Sequence, residues 1–426
     1  MSDENEDWGQ LYVTRRCCGG GTCRNFAPEL FGEVIPTSQE ASCPAPLPGS
    51  YEEGAFTGVL RQPRSKEEYL AARAAAAACG FGAIRLKRPP RLPGSDEAAP
   101  VWTEWPRRLE DNVWVIGQPS TRNYGALAYF IELPGGGILV DVPKPSEQLF
   151  RWLEARGGVR WLFLSHRDHV QHHAEFAARF PNCKRVIGSA DVNRRQNAWA
   201  DATDAVEIQI DCGRGPATID GKAIAPERFP DEELVVITQS GHPPGGLCLL
   251  YRGRFFFTGD HLAYSRREGH FIAHRLQCWE GWMRLTASVR ELLAWADAGW
   301  LALQWLLPGH GEWRRLDGES CPKKTADEFR RAVAWMDRQP PGNVPLFRWI
   351  PFVMSRAKPR GRFARLVMAI GGEERDAWLL PRASRQYLTD YRESQSSVAR
   401  RRFIAFAVGA IAMLCGVVWL ATRAFE

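Results

Sequence analysis

Several things that would place a chain quickly are missing here. No cleavable leader opens it: residues 1–8, MSDENEDW, are acidic and polar, unlike a secretory or transit peptide. The expectation is a cytosolic-type compartment in which the eleven cysteines stay reduced. No internal repeat is evident, so the 426 residues divide among two or three distinct domains. The charge excess is only +6, and no basic–aromatic stripe is present. Nucleic acid is therefore not expected as a partner. Histidine is scarce, with nine in the chain, and all nine lie between positions 166 and 310.

What is present divides the chain into regions. Residues 10–86 form a small cysteine-containing unit with a helical stretch at Glu67–Ala78. Residues 87–105 are proline-rich and read as a linker. Residues 106–316 alternate strand and helix patterns. Residues 317–400 read as a helical, basic extension. Its run Arg356, Lys358, Arg360, Arg362, Arg365 is either a solvated face or a contact for an anionic bilayer. Residues 403–422 carry no charge over 20 positions, enough for about 30 Å of helix, and read as a transmembrane segment. Arg400, Arg401 and Arg402 precede it. The expectation is a single-pass tail anchor with the main body cytoplasmic or stromal.

Within 106–316, short apolar runs predict strands at Val113–Ile116, Ala128–Leu133, Gly137–Val142, Trp161–Leu164, Leu234–Thr238, Leu247–Tyr251 and Phe255–Phe257. Ser146–Arg156 and Trp282–Ala298 predict amphipathic helices. Two sheets between helices follow from that order.

Four loops follow such strands and carry metal-ligand residue types. They are Ser165–His173 (SHRDHVQHH), Gly241-His242-Pro243-Pro244-Gly245, Thr258-Gly259-Asp260-His261 and Pro308-Gly309-His310-Gly311. Imidazole and carboxylate suit zinc, iron or manganese. A glycine beside a ligand lets backbone approach closely. One histidine alone would more often be a packed residue; four strand–loop sites in order are hard to explain by packing.

These motifs resemble the metallo-β-lactamase superfamily over roughly 110–315. The resemblance implies an α+β fold, an αββα sandwich, and a site for one or two divalent metals at one sheet edge, zinc first, with iron or manganese as alternatives. It implies His166, Asp168, His173, His242, Asp260 and His310 as ligands, Asp260 bridging, and Asp168 orienting a water or acting as base. The first loop departs from the pattern. Asp168 stands where a second histidine is usual, and His172-His173 replaces an Asp-His pair displaced by two residues. This is similar to a divergent subgroup that carries ferredoxin-like domains. His172 is counted with the ligands; it and His169 are open between ligand, outer partner and solvated helix residue. His261, His270 and His274 read as outer or surface residues.

The N-terminal unit resembles bacterial single-cluster ferredoxins. Cys17, Cys23 and Cys79 match the first, third and last cluster ligands, and Ala27-Pro28-Glu29-Leu30-Phe31 matches the segment that follows. Gly20 stands where the second cysteine is needed. A four-iron cluster uses four thiolates. The unit therefore holds either an iron–sulfur cluster of altered ligation or no cluster.

The leading functional expectation is a membrane-tethered metallohydrolase acting on an ester, thioester, amide or phosphoester of a small molecule. The alternatives are an iron-dependent oxidoreductase fed by the ferredoxin-like unit or a redox partner, and a non-catalytic scaffold.

Overall fold

The computed structural model describes residues 10–14, 17, 19–34, 56–87, 105–194, 201–213, 215–274, 278, 280–316, 318 and 321–339. The expected transmembrane segment 403–422, the basic run 356–365, most of the linker and Cys43 lie outside the described residues. Among the described residues, no helix is long and apolar enough to cross a membrane.

The N-terminal unit runs β1 (Gln10–Val13), α1 (Thr22–Phe26), β2 (Phe31–Val34), β3 (Phe56–Val59), α2 (Lys66–Ala77) and β4 (Ile84–Lys87). β1 pairs antiparallel with β4, and β2 with β3. Ser65 caps α2 by accepting from the Glu68 amide. Leu11, Val13, Leu30, Phe31, Ala72 and Ala75 form its small core.

A seven-stranded sheet follows. It contains β5 (Arg107–Glu110), β6 (Val113–Val115), β7 (Tyr129–Ile131), β8 (Gly137–Val140), β9 (Val159–Phe163), β10 (Lys184–Gly188) and β11 (Ile208–Ile210). Its strands lie in simple sequence order. β5 to β8 are antiparallel, while β8, β9, β10 and β11 are parallel. The crossovers are α3 (Glu147–Glu154) and α4 (His173–Arg179). Ser146 caps α3 by accepting from the Leu149 amide.

The second sheet has order β12 (Leu234–Thr238), β13 (Leu247–Tyr251), β14 (Phe255–Gly259), β17 (Trp305–Pro308), β18 (Arg314–Arg315). A separate hairpin, β15 (Ala263–Ser265) and β16 (His270–Ile272), follows β14. Helices α5 (Trp282–Asp297) and α6 (Pro322–Arg338) complete the fold.

Three apolar layers define the architecture. Val113, Tyr129, Val140, Phe163 and Val186 of the first sheet meet Val236, Leu249, Phe257 and Leu307 of the second. Leu149, Leu153, Phe176 and Phe180 cover the outer face of the first sheet. Leu285, Val289 and Leu292 of α5, with Phe329, Ala332 and Met336 of α6, cover the second. The result is the αββα order, with helix faces at three- and four-residue spacing. The described fold extends beyond the expected boundary at 316. α6 lies inside the expected helical, basic extension and is helical, but its Phe329 is fully buried in the core of the second sheet.

Candidate metal centre

The candidate ligands sit where strands end. Parallel strands deliver their carboxyl ends to one edge, the usual place for a site in such sheets. β8 leads to Asp141, and β9 to Ser165 and His166. β12 leads to His242, β14 to Asp260 and β17 to His310.

Asp260 is the centre of the cluster. His310 Nδ1 lies 2.7 and 2.9 Å from its two oxygens. His169 Nε2 lies 3.4 Å from Asp260 Oδ2, His166 Nε2 3.7 Å and His242 Nε2 3.8 Å. The Nε2 atoms of His166 and His242 face each other at 3.2 Å. Asp168 Oδ2 is 3.9 Å from His166 Nε2. Two groups bring their ligand atoms within 4.8 Å of one another: His166, His169 and Asp260, and His166, Asp168 and His242. Asp168 is the most open of them, its side chain 24% exposed against 3% or less for the histidines and Asp260.

Outer partners fix the rings. His310 Nε2 faces the Tyr124 carbonyl at 3.0 Å, so it carries the proton. His169 Nδ1 donates to Asp141 Oδ2 at 2.8 Å. Asp141 also accepts from the Ser165 amide and hydroxyl, which leaves that hydroxyl to accept from His166 Nδ1 at 2.9 Å. His166 is thereby protonated on its outer nitrogen, while the inner nitrogens of His169 and His310 point at Asp260. Among the described residues, His169 Nε2 is buried with no hydrogen-bond partner.

The buried carboxylates and imidazoles share protons and charge. Burial works to lower the basicity of His169, but the Asp260 and Asp141 carboxylates outweigh it and push it up to about 10. His166 is held well below the usual histidine range, first by burial and then by His169 and His242. Burial likewise brings His242 down to about 3. Burial would raise Asp260, yet His310 and His169 hold it well below the usual carboxylate range. The residues thus fit a cation. Two imidazole nitrogens 3.2 Å apart match the spacing of neighbouring ligands of one ion, since bonds of ~2.0–2.1 Å put tetrahedral ligands roughly 3.3 Å apart.

Tight backbone completes the pocket. A Cβ on Gly309 would come within 2.7 Å of His169 Cε1 and 3.2 Å of Asp260 Oδ1. Gly259 has φ +52, and a Cβ there would meet the Ser165 hydroxyl at 2.6 Å.

Not every expected residue joins the cluster. His172 has φ 74 and turns the chain outward at the start of α4. Its Nδ1 meets Glu175 at 2.7 Å and its Nε2 meets Ser120 at 3.2 Å. His173 donates from Nε2 to the Ala202 carbonyl and accepts from Arg185 on Nδ1. With both nitrogens engaged elsewhere, neither residue takes the ligand position expected of it. His169 occupies that place instead, brought in by a short 3₁₀ turn at Arg167–His169. Asp141 escaped notice as well; the only signal was a carboxylate directly after the apolar run GILV. His261 bonds to Ser288 behind the site, and His270 to the Phe271 carbonyl. Cys17, Cys23 and Cys79 come together around one cavity in the N-terminal unit, with Gly20, Gly21 and Thr57 also in its wall. Burial raises the Cys23 and Cys79 thiols.

The layer order and the four loops match the expectation drawn from the sequence resemblance. No family profile matches this sequence, and no curated protein does. Solved structures with overlapping folds include FIM-1 from Pseudomonas aeruginosa in a mono-zinc form, 16% identical, covering 53% of this chain and 94% of that one, TM-score 0.36. BJP-1 of Bradyrhizobium japonicum, a subclass B3 metallo-β-lactamase, is 14% identical, covering 55% and 92%, TM-score 0.33. An archaeal superfamily protein from Sulfolobus tokodaii is 12% identical, covering 57% and 88%, TM-score 0.32.

Proposed function

We propose that the chain is a metal-dependent hydrolase. The observation that supports it is the convergence of four buried imidazoles, His166, His169, His242 and His310, on the buried Asp260 carboxylate. His166, His169, His242, Asp260 and His310 would hold the ion or ions, with Asp168 at the open side. Bound there, a divalent metal supplies Lewis acidity and lowers the pKa of a coordinated water towards ~7. Asp168, the most open carboxylate of the cluster, would orient that water and take up its proton on Oδ2. Asp141 and Ser165 hold His166 and His169 in the tautomer that binds. The substrate class is an ester, thioester, amide or phosphoester. Metal analysis of the purified chain tests the reading. One to two zinc ions per chain, lost in His166→Ala and His242→Ala, supports it. Metal content unchanged in both variants sinks it.

A second reading, iron-dependent redox chemistry, is favoured by one observation. Three cysteines line a single cavity in a βαββαβ unit like that of small ferredoxins. A brown, iron-containing protein whose visible absorption bleaches with dithionite supports it; a colourless zinc protein does not. Tethering through 403–422 belongs to the main proposal, and extraction of the full chain from membranes by carbonate alone would remove it.

A further inference from the structure

Three consecutive residues after His310 are held by the N-terminal unit. The Gly311 amide donates to the Gly20 carbonyl at 2.6 Å. The Gly311 carbonyl accepts from Asn25 Nδ2 at 3.2 Å. Glu312 pairs with Arg24 Nε at 2.6 Å, and the Trp313 amide donates to Asn25 Oδ1 at 3.0 Å. Phe26 packs edge-on against Trp313 at 5.0 Å. On the other side of His310 is the Tyr124 carbonyl, and the neighbouring Gly125 is pressed against Gly80 and Phe81.

The ion pair is the decisive contact. Glu312 is fully buried and Arg24 is 3% exposed. Arg266, beyond β15, also pairs with Glu312 and reaches the Arg24 carbonyl at 3.4 Å. A buried carboxylate needs its counter-charges, and removing one leaves the other group strongly unfavourable. Glu312 stands two residues from His310 and shares its loop. Arg24 is the counter-charge that the N-terminal unit supplies to this loop.

We propose that Arg24 is a positioning residue of the metal centre: through Glu312 it sets the place of His310. The N-terminal unit is then a part of the metal site and not an appended module. The proposal rests on the metal-site reading above, and its test keeps the two apart. The full chain is loaded with cobalt(II), and the visible d–d spectrum and cobalt affinity are measured for wild type, Arg24→Met, Arg24→Lys and His166→Ala. The expected result is a changed spectrum and about 10-fold weaker binding in Arg24→Met, as for other outer partners of metal ligands. Arg24→Lys, which restores the charge, recovers much of both. Should Arg24→Met fail to fold, Asn25→Ala, which removes only the hydrogen bonds around Gly311, gives the same readings. A folded Arg24→Met or Asn25→Ala with wild-type spectrum and affinity overturns the positioning role, even if it melts at a lower temperature. Retention of cobalt by His166→Ala sinks the metal-site reading itself.

Discussion

His166 and His242 turn their Nε2 atoms towards each other across 3.2 Å of buried space. His166 gives its one proton outward, to Ser165. His242 Nδ1 has no partner among the described residues, so a proton on His242 Nε2 or a shared cation satisfies the inward pair. Alanine at either position should weaken metal binding by more than the about 10–100-fold typical of an outer partner. His169→Ala should behave the same way. His172→Ala and His173→Ala should keep the metal. Metal per chain by plasma mass spectrometry after dialysis distinguishes the two groups, and loss of metal in His173→Ala would contradict the geometry.

Asp141 supports the site from behind. Its carboxylate accepts from the Ser165 amide, the Ser165 hydroxyl and His169 Nδ1. Asparagine can offer only one oxygen. Asp141→Asn should weaken metal binding by about 10–100-fold and cost about 1–3 kcal/mol of stability. A metal titration with a competing chelator, beside a urea unfolding curve, measures both.

Gly309 tests how closely backbone packs on the cluster. Alanine there would press on His169 and Asp260. Gly309→Ala should lose metal while costing no more than about 1–3 kcal/mol in the metal-free protein. A variant with full metal content would show that the cluster can yield.

Arg185 and Glu207 predict a pH dependence away from the site. Partial burial works to raise the Glu207 carboxyl, but hydrogen bonds from the Arg185 side chain and amide bring it down to about 2, from an ordinary 4.5. Its pKa is lowered in the folded state, so the stabilisation is present above about pH 4.5 and is lost as pH falls towards 2. Glu207 is 40% exposed, so screening limits the effect to about 1 kcal/mol. Wild type should exceed Glu207→Gln in stability at pH 6, with the gap closing at pH 3. Parallel unfolding curves at the two pH values decide it.

The sandwich was legible because buried strands such as Leu247–Tyr251 and Phe255–Phe257 read as apolar runs. The loops after them announced His166, His242, Asp260 and His310, because chemistry follows strand ends. The choice between His169 and His173 was not legible. It depends on the left-handed backbone at His172, a conformation that residue seldom takes. Asp141 has no motif; its role comes from the neighbouring parallel strand, which places it beside Ser165. The helical character of α6 was legible, but its burial was not, because its buried face mixes alanine, threonine and Glu328 with Phe329, Val333 and Met336.

The Arg24–Glu312 pair also constrains how the chain is made. Arg24 leaves the ribosome early, and its buried counter-charge is encoded nearly the whole described length later. The nearby Asn25–Trp313 bond spans 288 positions. Contacts so distant in sequence form late and slow folding. A nascent chain stopped before β17 presents a finished N-terminal unit with an unmatched guanidinium on its docking face. Only after Glu312 has emerged, with α6 still to follow, can this seam form.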